Sequence, residues 1–406
     1  MNKNNNVPKI RFEGFNDSWE QCKLGEVGSL KNGMNFSKDA MGHGFPFVNL
    51  QNIFGKNMID VNNLELAEAS DSQIHDYNLK KGDVLFVRSS VKLEGVGEAA
   101  VVPKNLKNTT YSGFIIRFRD ERGINNDFKR YVFSIPTIRN QIMAQATNSA
   151  NKNISQSVLE KLELLVPQER EQELVGSFFS ALDHLITLHQ SKYEKLLDLK
   201  KSMLYKLFPK EGETIPEMRF EGFSGAWEKR RLGDCFSERI ESFPDGELLS
   251  VTINSGIKKF SELDRINNSN ENKTKYKKVY VGDIVYNSMR MWQGASGYSP
   301  FEGIVSPAYT VLRANEAIDA KCFSYLFKKT DIIHMFQMHS KGITSDNWNL
   351  KYPDFKELEV YVSQDYEEQK AIGEYFSKLD KLIDLNKAKL EKLKNIKSLL
   401  LDKMFV

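Results

Sequence analysis

Two long stretches of the chain carry apolar residues at steps that alternate between four and three, the pattern of a helix with one apolar seam. The first stretch runs from Ser177 to Phe208 and the second from Glu374 to Phe405, and neither contains proline or glycine. The seam begins two residues before each stretch. Its positions are Val175, Phe179, Leu182, Ile186, His189, Tyr193 and Leu196 in the first copy, and Ile372, Phe376, Leu379, Ile383, Asn386, Leu390 and Leu393 in the second. The spacing predicts two helices of about 35–40 residues, each of which needs a partner for its seam.

Shorter patterns outside these stretches predict strands and short helices. Gly82–Asp83 precedes the apolar run Val84–Val87, and Gly282–Asp283 precedes Ile284–Tyr286. A Gly-Asp pair before an apolar run is typical of a turn that enters a strand. Two further matching runs are expected in helices: Tyr131–Val132–Phe133 and Tyr325–Leu326–Phe327.

These patterns come in pairs because the chain contains an internal duplication. The sequence RFEGF stands at residues 11–15 and again at 219–223, an offset of 208 (219 − 11). Flanking residues repeat at the same offset: Pro8 and Pro216, Trp19 and Trp227, Glu20 and Glu228, Leu24 and Leu232, Gly25 and Gly233. The offset falls to 200 at the Gly-Asp turns (282 − 82) and is 197 in the long helices (369 − 172). The two copies therefore share a scaffold but differ in insertions and sequence in their middles, and the repeated tryptophans are expected to pack inside it.

The duplication predicts an α+β fold with two tandem α/β domains separated by two long helices. The expected segments are a first domain at 1–165, a central helical region at 166–209, a linker at 210–216, a second domain at 217–362 and a C-terminal helical region at 363–406. The helices are expected to pair as an antiparallel coiled coil, which would make the chain pseudo-two-fold symmetric. The polar seam residues His189 and Asn386 are aligned (386 − 189 = 197), and we predict that they face each other and fix the register. The alternative, that either side chain turns to solvent at a loose crossing, stays open.

The charge balance limits how the chain can hold a polyanion. It has 57 Lys and Arg against 54 Asp and Glu, a formal net charge of +3. Because neutralising phosphates supplies most non-specific affinity for nucleic acid, such a chain must cluster its basic residues or rely on a partner. The polar N-terminus and the lack of a long apolar run predict no membrane segment and a cytoplasmic location. The three cysteines are too far apart in sequence for a disulfide framework or a zinc module.

The repeated motifs resemble those of the specificity subunits of type I restriction–modification systems, over essentially the whole chain. The resemblance rests on the opening Arg-Phe-x-Gly-Phe…Trp…Leu-Gly, the Gly-Asp strand entry, and the Glu-Gln pair at the start of each long helix (Glu171–Gln172 and Glu368–Gln369). Pro167 precedes the first pair, whereas Val362 stands where the second copy should carry proline. The resemblance implies two target-recognition domains held apart by two helical regions, in a complex with two methyltransferase subunits and, for restriction, two motor–nuclease subunits. It also implies that the chain binds no cofactor itself, because S-adenosylmethionine, ATP and magnesium belong to the partner subunits.

The expected ligand is double-stranded DNA with a two-part, asymmetric target, since the two domains differ most in their middles. Candidate contacts follow the Gly-Asp strands: Arg88, Ser89, Ser90 and Lys92 in the first copy, and Asn287, Ser288, Arg290, Trp292 and Gln293 in the second. A second set precedes the last strand of each domain: Asn148, Asn151 and Lys152, and Asn347 and Asn349. Arginine can bind guanine and asparagine or glutamine can bind adenine through paired hydrogen bonds. A solvated, glycine-rich loop or an asparagine-rich turn has the same composition, so this alternative stays open.

The sequence contains none of the catalytic motifs that we sought. There is no GxxxxGK[ST] phosphate loop, no HExxH zinc site and no Asn- or Asp-Pro-Pro-Tyr/Phe segment of an adenine methyltransferase. We therefore expect a non-catalytic chain with no metal site. Two other classes of protein remain open: a free-standing DNA-binding regulator, which would bind DNA tightly without partners, and a coiled-coil scaffold, which would show no sequence-dependent binding.

Overall fold

Each half of the duplication folds as a mixed set of strands and short helices, followed by one long helix. The computed structural model describes residues 6–147, 151–253, 256–264, 269, 272–344 and 347–406. They divide into two units: unit 1 comprises Met1–Gln190 and Lys389–Val406, and unit 2 comprises Ser191–Ala388.

The described helices include two that are far longer than the rest. In chain order they are α1 (Leu24–Val27), α2 (Asp71–Asp76), α3 (Asn126–Val132), α4 (Pro136–Gln145), α5 (Gln156–Glu160), α6 (Glu169–Lys206), α7 (Leu232–Cys235), α8 (Ala320–Leu326), α9 (Thr330–Met338), α10 (Tyr352–Phe355) and α11 (Tyr366–Met404). Helices α6 and α11 contain 38 and 39 residues, which confirms the lengths expected from their seams. Within the described ranges, no helix is both long and apolar enough to cross a membrane.

The strands are short. In chain order they are β1 (Glu20–Lys23), β2 (Gly28–Asn32), β3 (Met41–Val48), β4 (Glu65–Ala67), β5 (Val84–Val87), β6 (Ser89–Ser90), β7 (Ala99–Val101), β8 (Thr110–Tyr111), β9 (Ile115–Asp120), β10 (Lys152–Asn153), β11 (Glu163–Val166), β12 (Glu228–Arg231), β13 (Phe236–Glu238), β14 (Leu249–Thr252), β15 (Gly256–Lys259), β16 (Lys277–Val279), β17 (Ile284–Asn287), β18 (Ser296–Tyr298), β19 (Gly303–Val305), β20 (Tyr309–Ala314) and β21 (Glu359–Val362). Single 3-10 turns lie at Lys38–Ala40, Leu50–Asn52, Leu93–Gly95, Phe260–Glu262 and Met291–Gln293.

A four-stranded antiparallel sheet recurs in both units. Its order is β2-β9-β5-β7 in unit 1 and β13-β20-β17-β18 in unit 2. The strands expected after the Gly-Asp turns are the inner strands β5 and β17. The aspartate closes each turn: Asp83 accepts a hydrogen bond from the Lys80 amide (2.8 Å) and Asp283 accepts one from the Tyr280 amide (2.9 Å). The same local chemistry therefore starts the same inner strand in both copies.

A two-stranded antiparallel ladder joins the start of each domain to its end. Glu20 of β1 lies opposite Val166 of β11, and Glu228 of β12 lies opposite Val362 of β21. Val362 is therefore the counterpart of Val166, and the expectation that it stands in the place of Pro167 was wrong, because Ser363 follows it as Pro167 follows Val166. The final strands are thus confirmed, but a short helix, α5 or α10, precedes each of them where the sequence pattern indicated only a loop. Helices of five and four residues are too short to produce a periodic pattern, and they depend on local signals: Ser155 caps α5, and α10 begins with a proline in its first turn.

The two units differ in the strands that surround this shared sheet. Unit 1 has a three-stranded sheet of order β4-β3-β8, in which β3 and β8 run parallel. Unit 2 has a hairpin of β14 and β15 and a separate pair of β16 and β19. These differences lie in the middles of the repeats, where the sequence predicted different insertions.

The core of each unit includes the end of the long helix from the other repeat. In unit 1, the Phe405 ring lies 6.0 Å from the Trp19 ring and 5.8 Å from the Phe179 ring, measured between centroids. In unit 2, the Phe208 ring lies 6.0 Å from that of Trp227 and stacks on Phe376 at 6.2 Å. Trp19 and Trp227 are buried, which confirms that the repeated tryptophans pack inside the scaffold.

Matching polar contacts fix the antiparallel direction within each unit. In unit 1, Lys397 near the end of α11 forms an ion pair with Asp183 in the first half of α6 (2.6 Å). The Tyr131 hydroxyl donates to the same carboxylate (2.9 Å). Unit 2 repeats this arrangement 197 residues away (397 − 200 and 380 − 183): Lys200 pairs with Asp380 at 2.5 Å, and the Tyr325 hydroxyl donates to Asp380 at 2.9 Å. In both units the end of one helix therefore packs against the beginning of the other.

The predicted contact between His189 and Asn386 joins residues of different units and stays a prediction. Asn386 is buried, and its Nδ2 donates to the carbonyl oxygen of Leu382 in the same helix (2.8 Å). His189 is half-buried. The Asp183–Lys397 and Asp380–Lys200 pairs hold the register within each unit. Lys200 and Lys397 continue the seams by one step of four (196 + 4 and 393 + 4), whereas their partners Asp183 and Asp380 each lie one residue beside a seam position, so the seam pattern alone did not reveal the pairs.

Candidate nucleic-acid interface

In unit 1 the two candidate segments meet on neighbouring strands. Arg88 follows β5, and its amide donates to the Phe114 carbonyl (2.7 Å) while its carbonyl accepts from the Ile154 amide (2.9 Å). Strand β6 pairs with β10, so that Ser90 lies opposite Lys152 and Ser89 opposite Asn153. The first segment (Arg88, Ser89, Ser90, Lys92) and the second (Asn151, Lys152) therefore belong to one surface. Candidate Asn148 lies outside the described residues.

Unit 2 joins its two segments through the same backbone contacts. The Ser288 amide donates to the Ala308 carbonyl (3.3 Å), and the Ser288 carbonyl accepts from the Leu350 amide (2.9 Å). Side chains strengthen this junction, because Trp292 packs edge-to-face on Trp348 with ring centroids 5.2 Å apart. The indole nitrogen of Trp292 also donates to the Met289 carbonyl (3.1 Å).

We call this pair of joined segments the reading frame of each unit, meaning the backbone framework that presents candidate side chains to DNA. It comprises residues 88–92 with 151–154 in unit 1, and residues 287–293 with 347–350 in unit 2. Arg88 occupies the place of Ser288, and Ser90 that of Arg290, at an offset of 200 (288 − 88). The backbone is thus held alike in the two units while the side chains differ in size, charge and hydrogen-bonding groups. A constant frame with exchanged side chains is what two readers of different base sequences require.

The candidate side chains differ in how much they face solvent. Exposed are Lys92, Asn151, Arg290, Gln293 and Asn347; half-buried are Arg88, Ser89, Ser90, Lys152, Asn287, Trp292 and Asn349. Ser288 is buried, and its hydroxyl forms a hydrogen bond with that of Thr310 (2.9 Å). From that place Ser288 supports the frame, whereas Arg290 and Gln293 are free to reach a ligand.

Exposed apolar side chains lie beside the polar candidates, and sequence reasoning missed them. In unit 1, a hollow of about 520 Å³ is walled by Leu50, Phe54, Val91 and Phe114 together with Ser89, Ser90 and Asn151. Val91 is 78% exposed and Phe114 is 58% exposed. In unit 2, Ile343 is 98% exposed a few residues before Asn347. Apolar side chains can contact the methyl group of thymine, so these residues belong among the candidates.

Within the described ranges, no group of three or more His, Cys, Asp and Glu side chains is arranged to hold a metal ion. The cysteines Cys22, Cys235 and Cys322 are buried and free. Burial raises the pKa of the Cys235 thiol to about 12, which keeps it protonated at neutral pH. The groups that the reading frames present to a ligand are the hydrogen-bonding, cationic and apolar side chains described above.

The repeated fold gives the chain two similarly built reading frames with different side chains, and comparison with known proteins gives the family. A family model described as the type I restriction modification DNA specificity domain matches residues 16–198 and 225–395. The chain therefore belongs to this family and is a type I specificity subunit, as its motifs indicated.

Individual relatives agree with this assignment. The chain is 27% identical over 198 residues to the specificity subunit of the type I restriction enzyme EcoKI from Escherichia coli (strain K12), a match that covers 47% of this chain and 42% of that one. The chain thus spans about half the length of the curated relatives it matches. The crystal structure of the type I S subunit from M. genitalium matches with a TM-score of 0.62 and 17% identity, over 98% of this chain and 99% of that one. A chain from a structural study of complex assembly and conformational transition in a type I R-M system matches with a TM-score of 0.52 and 16% identity, over 95% and 97%. These two structures support the fold.

Arg290 provides a test of the reading frame in unit 2. If it binds one guanine through paired hydrogen bonds, Arg290→Ala should cost about 1–3 kcal/mol of discrimination at a single base pair. The measurement is competitive DNA binding with duplexes that each carry one base-pair change. Arg313→Ala is the matched control. Arg313 is an exposed arginine of the same unit that lies near the end of β20, outside the reading frame. An Arg290 effect of equal size on every duplex would instead identify a phosphate contact.

Proposed function

We propose that this specificity subunit reads a two-part, asymmetric sequence of double-stranded DNA, one half with each unit. The observation that carries this proposal is the pair of reading frames, in which equivalent backbone contacts hold different side chains. Arg290 and Gln293 of unit 2 suit guanine and adenine. Unit 1 places serine, asparagine and lysine beside the exposed Phe114. Two such different surfaces favour two different half-sites.

The long helices would set the distance between the two halves of the target. At about 1.5 Å per residue, helices of 38 and 39 residues are about 57–59 Å long. Half-sites that are read from one face of B-DNA lie about 34 Å apart for each helical turn between them. Helices of this length suffice for a target whose halves are separated by an unread spacer, and a change in helix length would change the spacer.

The chain itself would direct the complex to its target sequence, and its partners would carry out the catalysis. Methyltransferase subunits would supply S-adenosylmethionine-dependent adenine methylation, and motor–nuclease subunits, when present, would supply ATP- and magnesium-dependent restriction. The nearly neutral charge supports this division, because partners would then provide much of the grip on the phosphates. Such a complex would act in the cytoplasm, where it meets DNA.

Exposed leucines on the long helices favour a docking place for the methyltransferase subunits. Unit 1 exposes Leu185, Leu188 and Leu399, with Ile396 also 37% exposed, and unit 2 exposes Leu197, Leu199, Leu382 and Leu385. Leu185 corresponds to Leu382 and Leu188 to Leu385 (382 − 185 = 197). Exposed apolar groups that recur on a helix are typical of a surface covered by another protein. Their occurrence in both units supports one methyltransferase subunit on each.

Leu385 is the place to test docking, because it is 66% exposed. A carboxylate there would have to be desolvated in an apolar interface, so we expect Leu385→Glu to weaken methyltransferase binding by at least about tenfold. Light scattering of the purified complex should show the loss of one of two partner subunits. Lys387→Glu is the control. Lys387 is exposed, and because it follows Leu385 by two residues it lies nearly on the opposite side of the helix. Its replacement by glutamate changes the charge of the chain more than Leu385→Glu does. Equal loss with both variants would contradict docking through the leucines.

Exchange of one domain tests whether the two units read independently. Residues 217–362 contain the reading frame of unit 2 but neither α6 nor α11. Replacing them with the second domain of another specificity subunit should change one half of the methylated motif and leave the other half and the spacer unaltered. The readout is a map of adenine methylation in cells that carry the exchanged chain. A motif that changes in both halves would refute independent reading.

A further inference from the structure

The ammonium group of Lys328 binds three backbone carbonyls from two separate segments of unit 2. Lys328 stands between α8 and α9, and its side chain is half-buried. Nζ donates to the carbonyl oxygens of Gly294 (2.5 Å), Ser296 (2.8 Å) and Ile253 (3.0 Å). A charged lysine has three N–H donors, so these three acceptors match its full capacity.

The three carbonyls belong to elements that build the reading frame and its support. Gly294 closes the 3-10 turn Met291–Gln293 and adopts a left-handed conformation, with φ at 80°. Ser296 begins β18, the strand that pairs with β17. Ile253 follows β14 at the turn of the hairpin with β15. The hairpin and β18 are in close contact, since a Cβ on Gly297 would lie 2.9 Å from the Cα of Gly256.

The same lysine lies near the polar contact between the long helices. The charged groups that act on it are Lys200 of α6 and Asp380 of α11, which form an ion pair with each other. The hydroxyl of Tyr325 in α8 donates to Asp380. Lys328 thus binds the turn that carries Trp292 and Gln293 and lies within electrostatic range of the part of unit 2 where the helices pack.

Unit 1 has a different residue at this position. The aromatic runs align at an offset of 194 (325 − 131), which places Ser134 where unit 2 has Lys328 (328 − 194). The Ser134 hydroxyl donates to the Tyr131 carbonyl (2.7 Å), a contact inside its own segment. The Ser134 contact does not extend to the reading frame of unit 1, where Arg139 of α4 instead donates to the carbonyl of Glu94 (2.6 Å), the counterpart of Gly294 (294 − 94 = 200).

We propose that Lys328 is a positioning residue for DNA reading by unit 2, and that its ammonium group holds the Met291–Gln293 turn in the shape that presents Arg290 and Gln293 to the bases. This inference rests on the proposed function and extends it, because it makes one half of the target depend on the charge of a residue that does not touch DNA.

Ionisation of Lys328 gives this role a pH dependence. Burial, and secondarily the nearby charge of Lys200, lowers the pKa of Lys328 to about 8, while Asp380 opposes the shift. A neutral amine has only two N–H donors, so above about pH 8 one of the three carbonyls loses its hydrogen bond. The turn then loosens, and unit 2 discriminates less well between bases. Unit 1 is unaffected.

Deprotonation should not lower the stability of the fold over this range. The pKa of Lys328 is lower in the folded chain than in the unfolded chain, so between about pH 8 and pH 10.5 the unfolded chain binds more protons at this residue. Linkage then makes the contribution of Lys328 to the free energy of unfolding rise with pH. A loss of reading without a loss of stability distinguishes positioning from a structural role.

The test compares the wild-type full chain with Lys328→Met, each in complex with its methyltransferase partner. Competitive binding at about pH 7 and about pH 9 uses the duplex methylated in cells and duplexes with one base-pair change in either half. For the half read by unit 2, the wild type should lose about tenfold in discrimination between the two pH values, the worth of one hydrogen bond to a charged group. Lys328→Met should be low at both pH values. Discrimination in the other half, and the melting temperature over the same range, should not fall.

Lys328→Arg keeps its charge at both pH values, so its discrimination should be independent of pH. Loss of discrimination in the half read by unit 1 would reveal that Lys328→Met fails to fold. In that case the comparison of the wild type with Lys328→Arg, by discrimination at the two pH values, tests the proposal. The proposal is overturned if the wild type reads the second half equally well at both pH values, or if both halves decline together. If no base-pair change in either half alters binding at about pH 7, the proposed function fails instead.

Discussion

The structure depends on the burial of a long-helix end in the core of each unit. Helix α6 begins in unit 1 and ends in unit 2, and α11 does the reverse. Phe405 completes the core around Trp19, and Phe208 completes the core around Trp227, so neither domain buries its apolar surface with residues of its own repeat alone. Burial of such an aromatic side chain contributes about 3–5 kcal/mol, a large part of the net stability of about 5–15 kcal/mol that is typical of a folded protein. Both helices must therefore be present for either unit to be complete.

This constraint separates the part of the chain that must be constant from the part that can vary. The helix ends, the β1–β11 and β12–β21 ladders and the inner strands are alike in both units, because each supports a core. The reading frames are anchored in these cores by Ile154 in unit 1 and by Met291 and Leu350 in unit 2, while their exposed side chains differ between the units. The support of the frames differs as well: in unit 2 the ammonium group of Lys328 binds the Gly294 carbonyl, whereas unit 1 has Ser134 at the position of Lys328 and binds the Glu94 carbonyl through Arg139.

Much of the scaffold could be predicted from the sequence because its signals are local. Seams with alternating steps predict long helices, and a repeated Gly-Asp turn predicts the same strand in both copies. The meeting of Ser90 with Lys152 could not be predicted, because these residues lie 62 positions apart (152 − 90) and only strand pairing brings them together. Phe114 and Ile343 carry no pattern that distinguishes an exposed apolar residue from a buried one, and the inward direction of Ser288 follows from its contact with Thr310. The predicted contact of His189 with Asn386 stays a prediction.

We propose that this chain directs a DNA-modifying complex to its target sequence. The most direct test of this proposal is a genome-wide map of adenine methylation in the host, measured with the chain present and with its gene deleted. We predict that deletion removes methylation from one two-part motif with a fixed gap, whose two halves differ. A methylation map that does not change on deletion, while the methyltransferase partner is still expressed, would contradict the account and favour a regulator or a scaffold.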